Sequence, residues 1–152
     1  MKKIVIIGPE STGKSTLCEQ LASHYQTEWV REYAREYLRT NGKEYNYDTL
    51  LDIARGQIAE EELVVGSLKL VDKNAAGQLP TTNYQLVFID TNMYVMQVWC
   101  EYVFEKCHHW ILNRIVERQY DLYLLCDIDL PWIKDELREY PDLAARKKLY
   151  RH

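Results

Sequence analysis

KKIVIIGPESTGKSTL, residues 2–17, is the stretch whose reading decides the fold. Ile4 to Ile7 form an unbroken β-branched run, the pattern of a strand buried on both faces of a parallel sheet. Residues 8–15 then spell G-x-x-x-x-G-K-S, with Gly8, Gly13, Lys14 and Ser15 in the fixed places. Gly8 lets the chain leave the strand sharply, and Gly13 lets backbone come close to an anion. The N–H groups of Glu10, Ser11, Thr12, Gly13, Lys14, Ser15 and Thr16 are expected to surround a nucleotide's phosphates. A helix starting near Lys14 aims its positive end at the same point. Lys14 would reach the β and γ phosphates, and the Ser15 hydroxyl would ligate Mg2+. Leu17, Leu21 and Ala22 follow at helical spacing. Strand, loop and helix stand in the order that phosphate binding requires.

Outward from this stretch, strand and helix patterns alternate. The spacing predicts a helix over 14–24, a short extended piece TEWV, and a helix in REYAREYLRTNG closed by Gly42. A longer helix follows, with Asp48 as N-cap and Leu50, Ile53, Ala54, Ile58, Leu63 and Val64 on one face. Residues 73–85, polar with Gly and Pro, read as a loop. LVFID is a second buried strand, one long helix or two runs over 95–119, and LYLLCDI is a third buried strand. DLAARKKLYRH reads as a helix. This order predicts an α/β protein with a P-loop NTPase or kinase fold, three layers with a parallel sheet flanked by helices. Such folds commonly finish with another strand and helix, so residues 1–152 read as one domain lacking those last elements.

Composition narrows the function classes. With 47% hydrophobic and 28% charged residues, the chain is an ordinary globular one. A net charge of −4 without a Lys/Arg stripe argues against a nucleic-acid partner. Of the four cysteines, Cys18 and Cys126 lie in apolar patterns and read as buried thiols of a reducing compartment. Cys107, His108 and His109 are consecutive and lack a second cluster, which argues against zinc. The N-terminus enters a strand directly and no apolar run reaches membrane-spanning length, so a cytoplasmic address without a membrane partner is expected. Nothing here fixes an oligomeric state.

Several residues qualify for chemistry. Asp90 ends LVFID at the sheet edge where the glycine loop opens, placed to hold Mg2+; an N-cap role for the DTN segment is compatible. REYAREY puts Glu32 and Arg35 at a strand end, as a candidate general base and a candidate anion or ribose contact. A solvated face of i,i+4 pairs is the plainer alternative. Arg138 and Arg146 follow the third strand in a segment broken by Pro131 and Pro141. They suit a mobile lid over about 129–146 that neutralises a transferring phosphoryl, or ordinary surface pairs with Glu136, Glu139 or Asp142. Trp99, Tyr102 and Phe104 fall in helical register as core, whereas Trp29, Tyr33 and Tyr94 lie nearer the ligand edge. The run Glu60–Glu62 reads as a solvated helix face.

In this order and spacing, GPESTGKSTL, REYAREYL, IARGQ, FIDTN, VWCEYVF and YDLYLLCDIDLPWIKDELREYP resemble ribosylnicotinamide kinase domains of the NadR type. The resemblance spans essentially the whole chain. It implies transfer of the ATP γ-phosphate, with Mg2+, to the 5′-hydroxyl of nicotinamide riboside, a small nucleoside partner, giving nicotinamide mononucleotide. Gly8, Gly13, Lys14, Ser15 and Thr16 match the family's ATP loop. Glu32, Tyr33 and Arg35 match its substrate-side EYxRE segment, Asp90 the first acid of its DTD motif, and Arg138 the arginine of its LRE lid. Asn92 departs from the pattern, standing on the substrate side where the family has a second acid. Either Glu32 or Asp90 accepts the hydroxyl proton. Two other functions fit the same residues: a kinase for another nucleoside or nucleotide, and an ATP-binding regulatory module with weak ATPase activity.

Overall fold

The IVII run becomes the inner strand of the sheet. In a computed structural model that describes residues 1–74 and 85–152, β1 (Lys2–Ile7) lies between β3 (Leu86–Asp90) and β4 (Leu122–Leu125). β2 (Trp29–Val30) completes the order β2-β3-β1-β4, and every pairing is parallel. Val5 and Ile6 are wholly buried because helices cover both faces, which is why the strand reads as an unbroken run. The register pairs Ile6 with Asp90, so the end of β3 lies beside the start of the glycine loop. The chain passes from β1 to β2, returns to β3 and crosses to β4, leaving the crevice at the strands' carboxyl ends where ligands bind in open α/β sheets.

Three layers result, as the alternation predicts. On one face α1 (Lys14–His24) packs Cys18 and Ala22 against Ile6 and Phe88. On the other, α3 (Tyr47–Asn74) packs Val65 and Leu68 against Val5, Val30, Val87 and Ile89. α2 (Tyr33–Asn41), α4 (Met93–Phe104) and α5 (His109–Glu117) join α3 in a second apolar cluster that includes Leu38, Leu50, Ile53, Met96 and Ile111. α6 (Leu143–Arg151) ends the chain's regular structure. No helix among the described residues is long and apolar enough to cross a membrane.

Several local expectations change. The 95–119 pattern resolves into two helices, the second of the two readings it allowed, separated where Glu105 takes a left-handed conformation, φ 56°. The expected loop at 73–85 falls mainly on residues 75–84, outside the described residues. The α3 cap is Asn46, whose Oδ1 accepts the Thr49 N–H at 2.9 Å, and Asp48 lies inside the first turn. Along α3 the buried stripe runs through Leu50, Ala54, Gln57, Glu61, Val65 and Leu68, while Leu63 is 69% exposed. Glu61 is therefore no part of a solvated face. It is buried and meets Lys3 Nζ at 2.8 Å, the Tyr120 hydroxyl at 2.8 Å and Arg118 at 3.4 Å. Those partners lie far away in sequence, so no pattern local to α3 reveals them. β4 is shorter than LYLLCDI and only half covered, with Leu122 and Leu125 about half exposed. Cys126, just beyond it, is half-buried.

Candidate active site

The glycine loop is held by its own backbone. Gly8 and Gly13 have φ of 143° and 78°, and a Cβ on Gly8 would come within 2.8 Å of the Cys126 carbonyl oxygen. The Thr12 hydroxyl and the Lys14 ammonium both donate to the Pro9 carbonyl, at 2.8 and 2.9 Å. Gly13 starts α1, and no side chain caps that end. The first-turn N–H groups and the positive end of the helix dipole are thus directed to an anion. Ser15 donates to Asp90 Oδ2 at 2.5 Å, whereas Asp90 Oδ1 is buried without a hydrogen-bond partner. Burial, and then the charge of Glu32, push the Asp90 carboxyl up to about 6 against the pull of Lys14 and Ser15. Hard oxygen donors with an unsatisfied buried lone pair fit Mg2+, which needs few protein ligands when phosphate oxygens complete its shell. Among the described residues no cluster of three His, Cys, Asp or Glu forms a separate metal site.

The loop opens into a cavity of about 630 Å³. Glu32 and Arg35 stand on its wall, which also carries the aromatic side chains of Tyr45, Trp99, Tyr102 and Tyr140. Trp99 Nε1 donates to the Tyr45 hydroxyl at 3.1 Å, which donates to Glu139 at 2.8 Å. With those polar groups engaged inside the protein, what these two side chains can offer a ligand is mainly ring surface. Tyr45 and Trp99 meet edge to face at 5.0 Å, as do Tyr102 and Tyr140 at 5.3 Å.

Residues 127–142 contain no regular helix or strand and lie against the loop. Glu10 accepts the backbone N–H groups of Glu139 and Tyr140 at 2.9 and 3.1 Å, and burial raises its pKa. Ser11 Oγ accepts the Ile133 N–H at 2.9 Å. Arg35 pairs with Asp135 at 3.0 Å, and Arg138 donates to the Ile133 carbonyl at 2.6 Å. The Leu137 N–H, and then Arg35, hold the Asp135 carboxyl below its usual range.

One cavity wall thus brings together Gly8, Glu10, Ser11, Thr12, Gly13, Lys14, Ser15, Thr16, Glu32, Arg35 and Arg138, with Asp90 buried behind Ser15. Three other predicted residues lie off that wall. Asn92 is 2% exposed and caps α4 by accepting the Tyr94 N–H at 3.1 Å. Tyr33 packs in the α2–α3 cluster. Arg146 is 3% exposed and donates to the carbonyls of Ile128 and Leu130 at 3.2 and 3.1 Å, bracing the start of the irregular segment. Of the aromatics, Tyr94 lines the cavity as expected, Trp29 packs on the α1 side of the sheet, Trp99 packs against the α2–α5 cluster as its register read and also lines the cavity, and Tyr102 lines the cavity. Tyr45 and Tyr140 escaped the sequence reading, and Glu139 entered it only as a partner for a surface arginine; Tyr45 and Trp99 are 54 positions apart, and no local pattern links them.

A family model described as AAA domain matches residues 3–152. The trifunctional NAD biosynthesis/regulator protein NadR of Escherichia coli (strain K12) is 30% identical over 152 residues, covering 97% of this chain and 33% of that protein. The Salmonella typhimurium protein of the same name is 27% identical over 148 residues, with the same coverage. The chain spans about a third of the length of these curated relatives. A crystal structure of NadR protein in complex with NR matches 82% of this chain and 33% of that one, at TM-score 0.66 and 26% identity. Another, in complex with NAD and AMP-PNP, matches 99% and 39%, at TM-score 0.72 and 23% identity. Matched by that model from its third residue to its last, and carrying the phosphate loop on a parallel sheet, the chain belongs to the AAA domain family of P-loop proteins.

Proposed function

We propose that the chain is an ATP-dependent kinase that phosphorylates the 5′-hydroxyl of nicotinamide riboside to give nicotinamide mononucleotide. One observation carries the reading: the phosphate loop, Glu32 and the rings of Tyr45, Trp99, Tyr102 and Tyr140 line a single cavity of about 630 Å³. The relatives support it, since one solved NadR protein is in complex with NR and another with NAD and AMP-PNP.

In this mechanism the N–H groups of the loop and the start of α1 hold the β and γ phosphates, and Lys14 leaves the Pro9 carbonyl to join them. Mg2+, held by Ser15 and Asp90, would neutralise charge on the phosphate oxygens. The acceptor oxygen attacks phosphorus, the bond to the bridging oxygen breaks, and ADP leaves. Asp90 is wholly buried with one oxygen already taken by Ser15, whereas Glu32 faces the cavity. Glu32 is accordingly the base that takes the hydroxyl proton. Arg138, carried over the loop by residues 127–142, neutralises the transferring phosphoryl while that segment excludes water as a lid. The rings of Trp99 and its tyrosine neighbours suit a flat, positively charged base, which aromatic faces attract.

The test is ADP release with ATP, Mg2+ and nicotinamide riboside, against no-acceptor and other-nucleoside controls. ADP formed only with nicotinamide riboside, together with the mononucleotide, supports the reading. ADP formed with another nucleoside replaces the substrate, and ATP binding without acceptor-dependent ADP points to a regulatory module.

A further inference from the structure

The IARGQ stretch, residues 53–57, has no part in the chemistry above, yet it lies behind both acids. Gln57 on α3 is 2% exposed. Its Oε1 accepts the Tyr33 N–H at 2.8 Å, and its Nε2 donates to the carbonyls of Arg31 at 3.2 Å and Asp90 at 3.4 Å. A backbone donor at one end and two carbonyls at the other fix which way the amide points. Arg31 and Tyr33 flank Glu32, so one side chain grips the backbone on both sides of Glu32 and the peptide of Asp90 as well. Glu32 begins α2 without a side-chain cap, and Gln57 satisfies the first-turn donor of Tyr33 instead. Gly56 makes the approach possible, because a Cβ there would lie 1.9 Å from the Tyr33 ring.

We propose that Gln57 is a positioning residue, seated by the Gly56–Tyr33 contact, that sets where Glu32 stands relative to Asp90 and so aligns the base with the acceptor. The inference rests on the phosphotransfer reading, and its test separates the two. Gln57→Met keeps the length and removes all three hydrogen bonds. Gln57→Glu keeps an acceptor for the Tyr33 N–H and loses both donors. In the full chain, both variants should bind ATP within about twofold of the parent while kcat falls on the order of 10- to 100-fold, the scale of a small misplacement of reacting groups. Hydrogen exchange at the Tyr33 amide should quicken at least roughly tenfold in Gln57→Met and stay slow in Gln57→Glu, as loss of one buried hydrogen bond implies. Parental kcat in folded Gln57→Met overturns the proposal, as does a kcat loss matched by an equal loss of ATP affinity. If the parent phosphorylates no nucleoside, the kinase reading fails by itself. The Tyr33 amide then decides the positioning role, and unchanged protection in Gln57→Met ends it.

Discussion

The phosphate loop and the 127–142 segment face one cavity and are both irregular, yet they are held in opposite ways. The loop is fastened mainly within itself: Thr12 and Lys14 reach back three and five residues to Pro9, and Gly8, Ser11 and Gly13 take positive φ. The segment is fastened by distant partners, Glu10 at 129 and 130 positions, Ser11 at 122, Arg35 at 100 and Tyr45 at 94. A region closed by its own neighbours is ready before any ligand arrives. A region closed by separate polar contacts over a cavity can release them without unfolding the core, which is what an opening lid needs.

Three experiments probe that contrast. Lys14→Ala should have the largest effect, cutting transfer at least roughly 10³-fold in the ADP assay, since it removes a charged donor from the phosphates. Melting should move by no more than about 3 °C, because that ammonium bonds only one carbonyl within the protein. Substantial remaining turnover would shift the burden of phosphate binding from loop to lid. Glu10→Ala should be smaller, favouring lid opening by roughly 1–2 kcal/mol through two unmet N–H groups. Trypsin should then cut at Lys134 and Arg138 several-fold faster, with the urea midpoint lowered by no more than that loss implies; equal cutting rates would mean that other contacts hold the lid. The smallest effect concerns acid. Asp135 titrates below its usual 3.8, so its contribution is complete above that value and is lost as pH falls through its lower folded pKa. Half-exposed as the Arg35–Asp135 pair is, the loss should stay under about 1 kcal/mol. It should appear as faster corrected exchange at the Leu137 amide below about pH 4, unlike the amides of α1, and vanish in Asp135→Asn.

What could be read beforehand follows the same division. IVII, the glycine loop, the α1 face and Asp90 at a strand end each answer a demand met within a few residues, and the chain spells them out. Trp99 serves core and cavity at once, because helical spacing shows that a ring is turned inward and does not separate the two, whereas Trp29 on β2 packs under α1 instead of at the ligand edge. Arg146 looks like any surface or lid arginine until the carbonyls of Ile128 and Leu130 close around it. Gln57 sits in the stripe of α3 like one more core residue, and its three backbone partners come from segments 24 to 33 positions away.

The burial of Glu61 has a kinetic consequence. Its carboxylate needs the ammonium of Lys3, 58 residues earlier, and the hydroxyl of Tyr120, 59 residues later. Neither can arrive until long loops have closed, so completion of the site is expected late in folding. Interactions made after the transition state govern how fast a protein comes apart, not how fast it goes together. Glu61→Gln should therefore quicken unfolding in stopped-flow mixing and leave the refolding rate almost unchanged, making this buried carboxylate a brake on unfolding.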